Sequence, residues 1–238
     1  MLEQLRQQLR ALEKPAGIED GPGVLPLGIA AIDDALGGGL ARGALHEIAA
    51  VSEAHLAAAT GFALGLIAPA RARVCWLAED MARAESGAPY GPGLDAFGLA
   101  PERLLTVAAA RPRDLLWAIE EALRCRAIGA VIGEWRHGAI YMVALRRLSL
   151  AAAESGALVL LLRASPADDA SAAATRWIVG ASPNDCLAAQ LVRNRRGPTG
   201  SWILQWSDSD ERFILAPAQP VAAPALDRPH RQIARQVA

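Results

Sequence analysis

The chain has 238 residues and a formal net charge of −1, with 24 Lys+Arg against 25 Asp+Glu. That balance excludes the basic footprint by which proteins hold nucleic acid non-specifically through counterion release. Hydrophobic residues make up 53% of the chain, ample for one large core, yet no uncharged apolar run reaches the roughly 18–20 residues of a membrane span. The charged opening MLEQLRQQLR has no apolar h-region and does not read as a secretory signal. Cys75, Cys125 and Cys186 are scattered without C-x-x-C spacing, which predicts reduced core thiols in a cytoplasmic protein and no metal site. Lys14 is the only lysine, and His46, His55, His137 and His230 are dispersed.

Taken in chain order, Leu2, Leu5, Leu9 and Leu12 are spaced three, four and three. They predict a short N-terminal helix over 1–14 whose apolar stripe docks on its own domain or on a partner. Residues 15–28 are Gly/Pro-rich and read as a linker or an extended covering segment. A short helix over 29–36 should stop at Gly37-Gly38-Gly39. Strands are then predicted at 44–50, 73–79, 104–108, 129–134 and 157–163, and helices at 53–68, 113–126 and 140–154. A long Gly/Pro loop with one helical turn near Leu94 fills 81–101. Strand and helix alternate at short intervals, which argues a mostly parallel sheet with helices on both faces. Three further runs, 186–193, 201–206 and 211–216, are joined by short turns and predict a C-terminal antiparallel extension. The core is thus expected over 29–216. The Pro/Ala/Arg-rich tail over 217–238 has too little apolar content to order itself.

The residues 25–50, LPLGIAAIDDALGGGLARGALHEIAA, resemble the entry to a RecA-type ATPase core. What should come next is missing. The strand is followed by Val51-Ser52-Glu53-Ala54-His55-Leu56-Ala57-Ala58. No glycine, lysine or Ser/Thr stands where G-x-x-x-x-G-K-[ST] needs them to close backbone N–H groups and a point charge around phosphate. Among RecA relatives the chain resembles the ImuA family of bacterial SOS mutagenesis proteins. The resemblance is carried by DALGGGL at 34–40, GALHEI at 43–48, AVIGEW at 130–135 and RNRRGPTG at 193–200.

The resemblance implies a RecA-like core that lacks a P-loop and uses no nucleotide cofactor. It implies an accessory role in error-prone translesion synthesis. The partners would be an ImuB-like inactive Y-family polymerase homologue, with RecA and an error-prone replicative-type polymerase as further contacts. Ser52, Glu79 and Glu134 would be vestiges of the nucleotide pocket: Glu79 where a water-activating glutamate stands, Glu134 where a Mg²⁺-holding carboxylate stands. Arg193, Arg195 and Arg196 lie in the hairpin that in RecA filaments reaches the neighbouring subunit's nucleotide. Here they suit a carboxylate or phosphate partner, or a solvated face. The first DNA-loop position holds Trp135, Arg136 and His137; core packing is the default for every tryptophan, and Trp135 is the best candidate for an exposed stacking residue. The second, 164–173, contains Asp168 and Asp169, so direct DNA binding is expected to be weak. Two alternatives stand beside the adaptor: a residual nucleotide-dependent recombinase-like ATPase, and a SulA-type cell-division inhibitor.

Overall fold

Runs such as ALVLLLR offer no polar face to water, and they form the centre of a nine-stranded sheet. The computed structural model describes residues 23–217 apart from His137 and Asp168; the leucine stripe and the tail from residue 218 lie outside the described residues. In chain order the elements are β1 (Val24–Leu25), α1 (Ala30–Leu36), β2 (Leu40–Ala41), β3 (Ala44–Ala50), α2 (Leu56–Ile67), β4 (Val74–Glu79), α3 (Asp80–Ser86), α4 (Gly91–Ala96), β5 (Leu104–Ala109), α5 (Pro112–Arg124), β6 (Ala130–Trp135), α6 (Met142–Ser155), β7 (Leu158–Arg163), β8 (Thr175–Ser182), β9 (Cys186–Asn194), β10 (Gly200–Ser207) and β11 (Arg212–Leu215). The large sheet runs β11-β10-β9-β8-β3-β7-β6-β4-β5. From β8 to β5 every pairing is parallel, and from β8 to β11 every pairing is antiparallel. The fold is therefore RecA-like in kind, a mostly parallel sheet with an antiparallel C-terminal extension.

Alternation along the parallel strands feeds two cores. On β7, Leu158, Leu160 and Leu162 join Phe62 and Leu66 of α2, while Val159 and Leu161 join Leu115 and Ile119 of α5 and Leu145 and Leu148 of α6. All of these are essentially fully buried, each contributing roughly 1.5–3 kcal/mol of transfer free energy. Gly133 lets α5 close on β6: a Cβ there would lie 2.4 Å from the Ile119 Cδ1.

The entry segment is more than a tether. Leu25 and Leu27 are buried, β1 pairs with β2, and the backbone N–H groups of Leu27 and Gly28 donate to the Asp33 carboxylate at 2.8 and 2.9 Å. The covering reading of residues 23–28 is the one the structure adopts. Helix α1 ends at Gly37 in the left-handed region, φ 71°, with Gly38 N donating to the Asp33 carbonyl at 2.7 Å. Gly39 must be glycine: its φ is 138°, and a Cβ would meet the Leu25 carbonyl oxygen at 2.4 Å.

Two features depart from expectation. Residues 80–96 hold two short helices, α3 and α4, where one turn was predicted. Strand β8 was not predicted; it is the hinge of the sheet, parallel to β3 on one side and antiparallel to β9 on the other. Among the described residues no helix is long and apolar enough to cross a membrane.

Candidate functional site: the exit of the first core strand

A phosphate cradle needs consecutive N–H groups that converge on one point and are free to do so. The backbone after β3 does the opposite. Val51 N donates to the Val179 carbonyl at 2.9 Å, and His55 N donates to the Ser52 carbonyl at 2.9 Å, closing a single 3₁₀ turn over Glu53–His55. The His55 Nδ1 accepts from Ala181 N at 2.9 Å and ties that turn to the end of β8. Ser52 is extended, exposed and makes no capping bond from its side chain. Glu53 opens the turn and is exposed, so it adds a negative charge at this strand exit.

Glu79 and Glu134 do not form a pair. Ala78, not Glu79, is in register with Glu134, so alternation sends Glu79 and Glu134 to opposite faces of the sheet. Glu134 is engaged: it pairs with Arg136 at 2.6 Å, both side chains being largely buried, and accepts from Trp76 Nε1 at 3.3 Å. Arg136 also donates to Ser86 Oγ at 2.6 Å. Trp135, the best candidate for an exposed stacking residue, takes the default core position instead: it is 6% exposed and donates its Nε1–H to the Gly138 carbonyl at 3.0 Å. Trp135 thus belongs to the α5/α6 core, and Arg136 is held by a carboxylate. Two of the three nucleic-acid candidates are corrected by this geometry. The third, His137, lies outside the described residues.

The second loop position is pinned from below. Glu47, buried in the middle of β3, receives Arg176 Nε at 2.8 Å from the neighbouring β8 and a short hydrogen bond from the Ser171 hydroxyl. The rest of the Arg176 guanidinium reaches the carbonyls of Asp169 (3.0 Å) and Ala167 (2.7 Å) and the Asp169 carboxylate (3.3 Å). Arg163 faces Asp169 at 3.5 Å. Two hairpin arginines lean onto the same segment, Arg193 and Arg195 both donating to the Ser171 carbonyl, at 3.1 and 3.3 Å. Arg196 reaches the Gly37 carbonyl at 3.5 Å, and Asn194 Nδ2 donates to the Ala35 carbonyl at 2.7 Å. The hairpin is thereby stitched to the last turn of α1, where a guanidinium complements the helix dipole. Sequence reasoning missed Glu47 and Arg176. The signal lay in a single Glu within a buried strand, which demands a cationic partner.

On the other face of β3, His46 is fully buried. Its Nε2 meets the Ala41 carbonyl at 2.9 Å and its Nδ1 meets Thr175 Oγ1 at 2.8 Å. A carbonyl can only accept, so Nε2 carries the proton and Nδ1 accepts from the threonine hydroxyl. Thr175 Oγ1 in turn accepts from Trp177 Nε1 at 3.0 Å. The chain of donors is complete with the imidazole neutral. Burial accordingly lowers its pKa from 6.5 to about 4.

Beside this strand exit, a cleft of about 810 Å³ opens between α2, the α3–α4 connection and the ends of β9 to β11. Its floor is aromatic. Trp206 packs on Phe97 (ring centroids 4.9 Å apart) and edge-on to Phe213 (5.2 Å), and donates to the Ala96 carbonyl at 2.8 Å. Glu53 and Glu134 line it; Ser52 and Glu79 do not.

No protein-family model matches the chain. Among solved structures it is similar to the crystal structure of the RadB recombinase, with a TM-score of 0.59 over 80% of this chain and 98% of that one. At 17% identity that likeness establishes the fold and nothing finer. Among curated proteins it is 30% identical over 218 residues to Protein ImuA of Caulobacter vibrioides, in both strain NA1000 / CB15N and strain ATCC 19089, covering 80% of this chain and 86% of the relative. Identity of 30% over 80% of this chain and 86% of the relative, on a RecA-like sheet, gives the assignment: the chain belongs to the ImuA family.

Proposed function

We propose that this chain is a non-catalytic RecA-fold adaptor of the SOS-induced, error-prone translesion synthesis machinery, and that it works through protein–protein contacts. The observation that carries this reading is the turn at Val51–His55. Two of its N–H groups are already bonded to protein carbonyls, and Glu53 opposes any phosphate. A motor with this strand exit has no hold on its fuel, while the buried sheet around it remains complete. Scaffold without chemistry fits an adaptor. The engagement of Glu134 by Arg136 and Trp76 supports the same view, since a carboxylate so occupied is not placed to hold a metal ion.

The partner expected from the family resemblance is an ImuB-like inactive polymerase homologue, with RecA and an error-prone replicative-type polymerase as further contacts. Surfaces available for it include the hairpin with exposed Arg195 and Arg196. The test is genetic and biochemical together. Deleting the gene should abolish damage-induced mutagenesis, and the purified chain should retain the ImuB-like protein. Unchanged induced mutagenesis in the deletion strain would refute the adaptor role.

A further inference from the structure

The cleft beside the β3 exit has a chemistry of its own. Its volume, about 810 Å³, lies within the range of about 300–1,000 Å³ usual for pockets that enclose a ligand or a peptide anchor. Trp76, Phe97, Trp206 and Phe213 line it, and Tyr90, 74% exposed, stands at its edge. The ring contacts of Trp206 with Phe97 and Phe213, and its bond to Ala96, hold this floor in place without a ligand.

The charge around it is one-sided. Four carboxylates line the cleft, Glu53, Glu85, Glu134 and Asp185, against one cation, Arg136. Arg136 is already paired with Glu134 at 2.6 Å. Glu53, Glu85 and Asp185 are exposed and make no ion pair among the described residues. Three uncompensated negative charges over an aromatic floor repel polyphosphate and nucleic acid. They attract a guanidinium or ammonium, which the rings can also accept face-on.

We infer that this cleft is a docking groove for a partner polypeptide segment carrying an aromatic or branched-aliphatic anchor with arginine or lysine beside it. The anchor enters the aromatic floor and the cations meet Glu53, Glu85 and Asp185. This rests on the adaptor reading and adds the surface and the chemistry of what it grips.

The experiment uses the full chain and a phage-displayed library of random 12-residue peptides, followed by calorimetry with the winning peptides as synthetic probes. Enriched peptides are expected to carry Arg or Lys within three positions of Trp, Phe or Leu. Their affinity should fall about tenfold for the near-isosteric triple variant Glu53→Gln/Glu85→Gln/Asp185→Asn, as expected for three rim charge pairs, and fall again for Tyr90→Ala. Both variants change exposed side chains, and circular dichroism confirms that they fold. The inference is overturned by enrichment of acidic peptides, by no enrichment, or by affinities that neither variant moves. It is equally overturned if Mg-ATP or single-stranded DNA binds the wild type more tightly than the triple variant. Failure here is separable from failure of the adaptor role: if gene deletion abolishes induced mutagenesis while peptide binding ignores the cleft, the adaptor stands and the groove falls.

Discussion

Replacing Arg176 by alanine strands a carboxylate in the centre of the sheet. Glu47 is 2% exposed and would keep only the Ser171 hydroxyl as a partner. Removing one member of a buried ion pair typically costs about 3–5 kcal/mol, and Arg176, with 16% side-chain exposure, is close to that limit. With a urea dependence of about 2–3 kcal/mol per molar for a chain of this size, the unfolding midpoint should drop by about 1–2.5 M. The same substitution frees the carbonyls of Ala167 and Asp169 from their only shared cation. Hydrogen exchange should therefore accelerate first in residues 164–173, below the global unfolding limit. The double variant Glu47→Leu/Arg176→Met removes both charges and should recover most of the loss, because the cost lies in the unpaired ion and not in the missing bridge. A midpoint shift below about 0.5 M for Arg176→Ala, or a double variant no better than the single, would refute this account of the clamp.

Three further outcomes follow from other parts of the molecule. The pKa of His46 is held down to about 4 by burial, so the unfolded chain takes up a proton below about 6.5 that the folded chain refuses. Its stabilising contribution is whole above pH 6.5 and is lost as pH falls toward 4, by at most about 3 kcal/mol; His46→Gln should show a correspondingly shallower acid slope in urea titrations over that window. Cys125 is exposed whereas Cys75 and Cys186 are buried, and burial pushes the Cys75 thiol up to about 11. Native protein should thus release about one thiol equivalent rapidly with a disulfide reagent and three after denaturation, with the fast phase absent in Cys125→Ser. Gly65→Ala would bring a methyl group to 2.2 Å from the Phe213 ring, which Phe62 and Trp206 hemmed in on either side cannot let retreat. The clash should outweigh the helix-propensity gain and destabilise by about 1–3 kcal/mol, while adding Phe213→Leu should restore part of it.

The parallel half of the fold was legible because its strands are continuous apolar runs bounded by glycine, proline or a charge. Ala44–Ala50 coincides with the observed β3, and the other strands fall within a residue or so at each end. Strand β8 was not legible: TRWIVGAS mixes Arg176, Gly180 and Ser182 into its run, and what makes it a strand is its backbone pairing with β3 and β9. Local pattern does not show which distant strand a run will pair with. That the residues of a phosphate loop are missing after β3 could be read directly, since the motif depends on residue types at fixed spacing. Exposure could not. Trp135 ends β6 three residues before a glycine, where a ring could face either way, and it turns back to the Gly138 carbonyl and is buried. Trp117, by contrast, falls within an amphipathic helix and is 61% exposed. Likewise the cleft draws its walls from α2, the α3–α4 connection and, far along the chain, β9 to β11.

The most direct test of the central claim is isothermal titration of the full chain with Mg-ATP. A strand exit closed by the Val51 and His55 backbone bonds and guarded by Glu53 should give no binding heat into the millimolar range. Saturable one-to-one binding tighter than about 100 μM, or roughly 5–6 kcal/mol, weakened by Glu134→Gln, would contradict it.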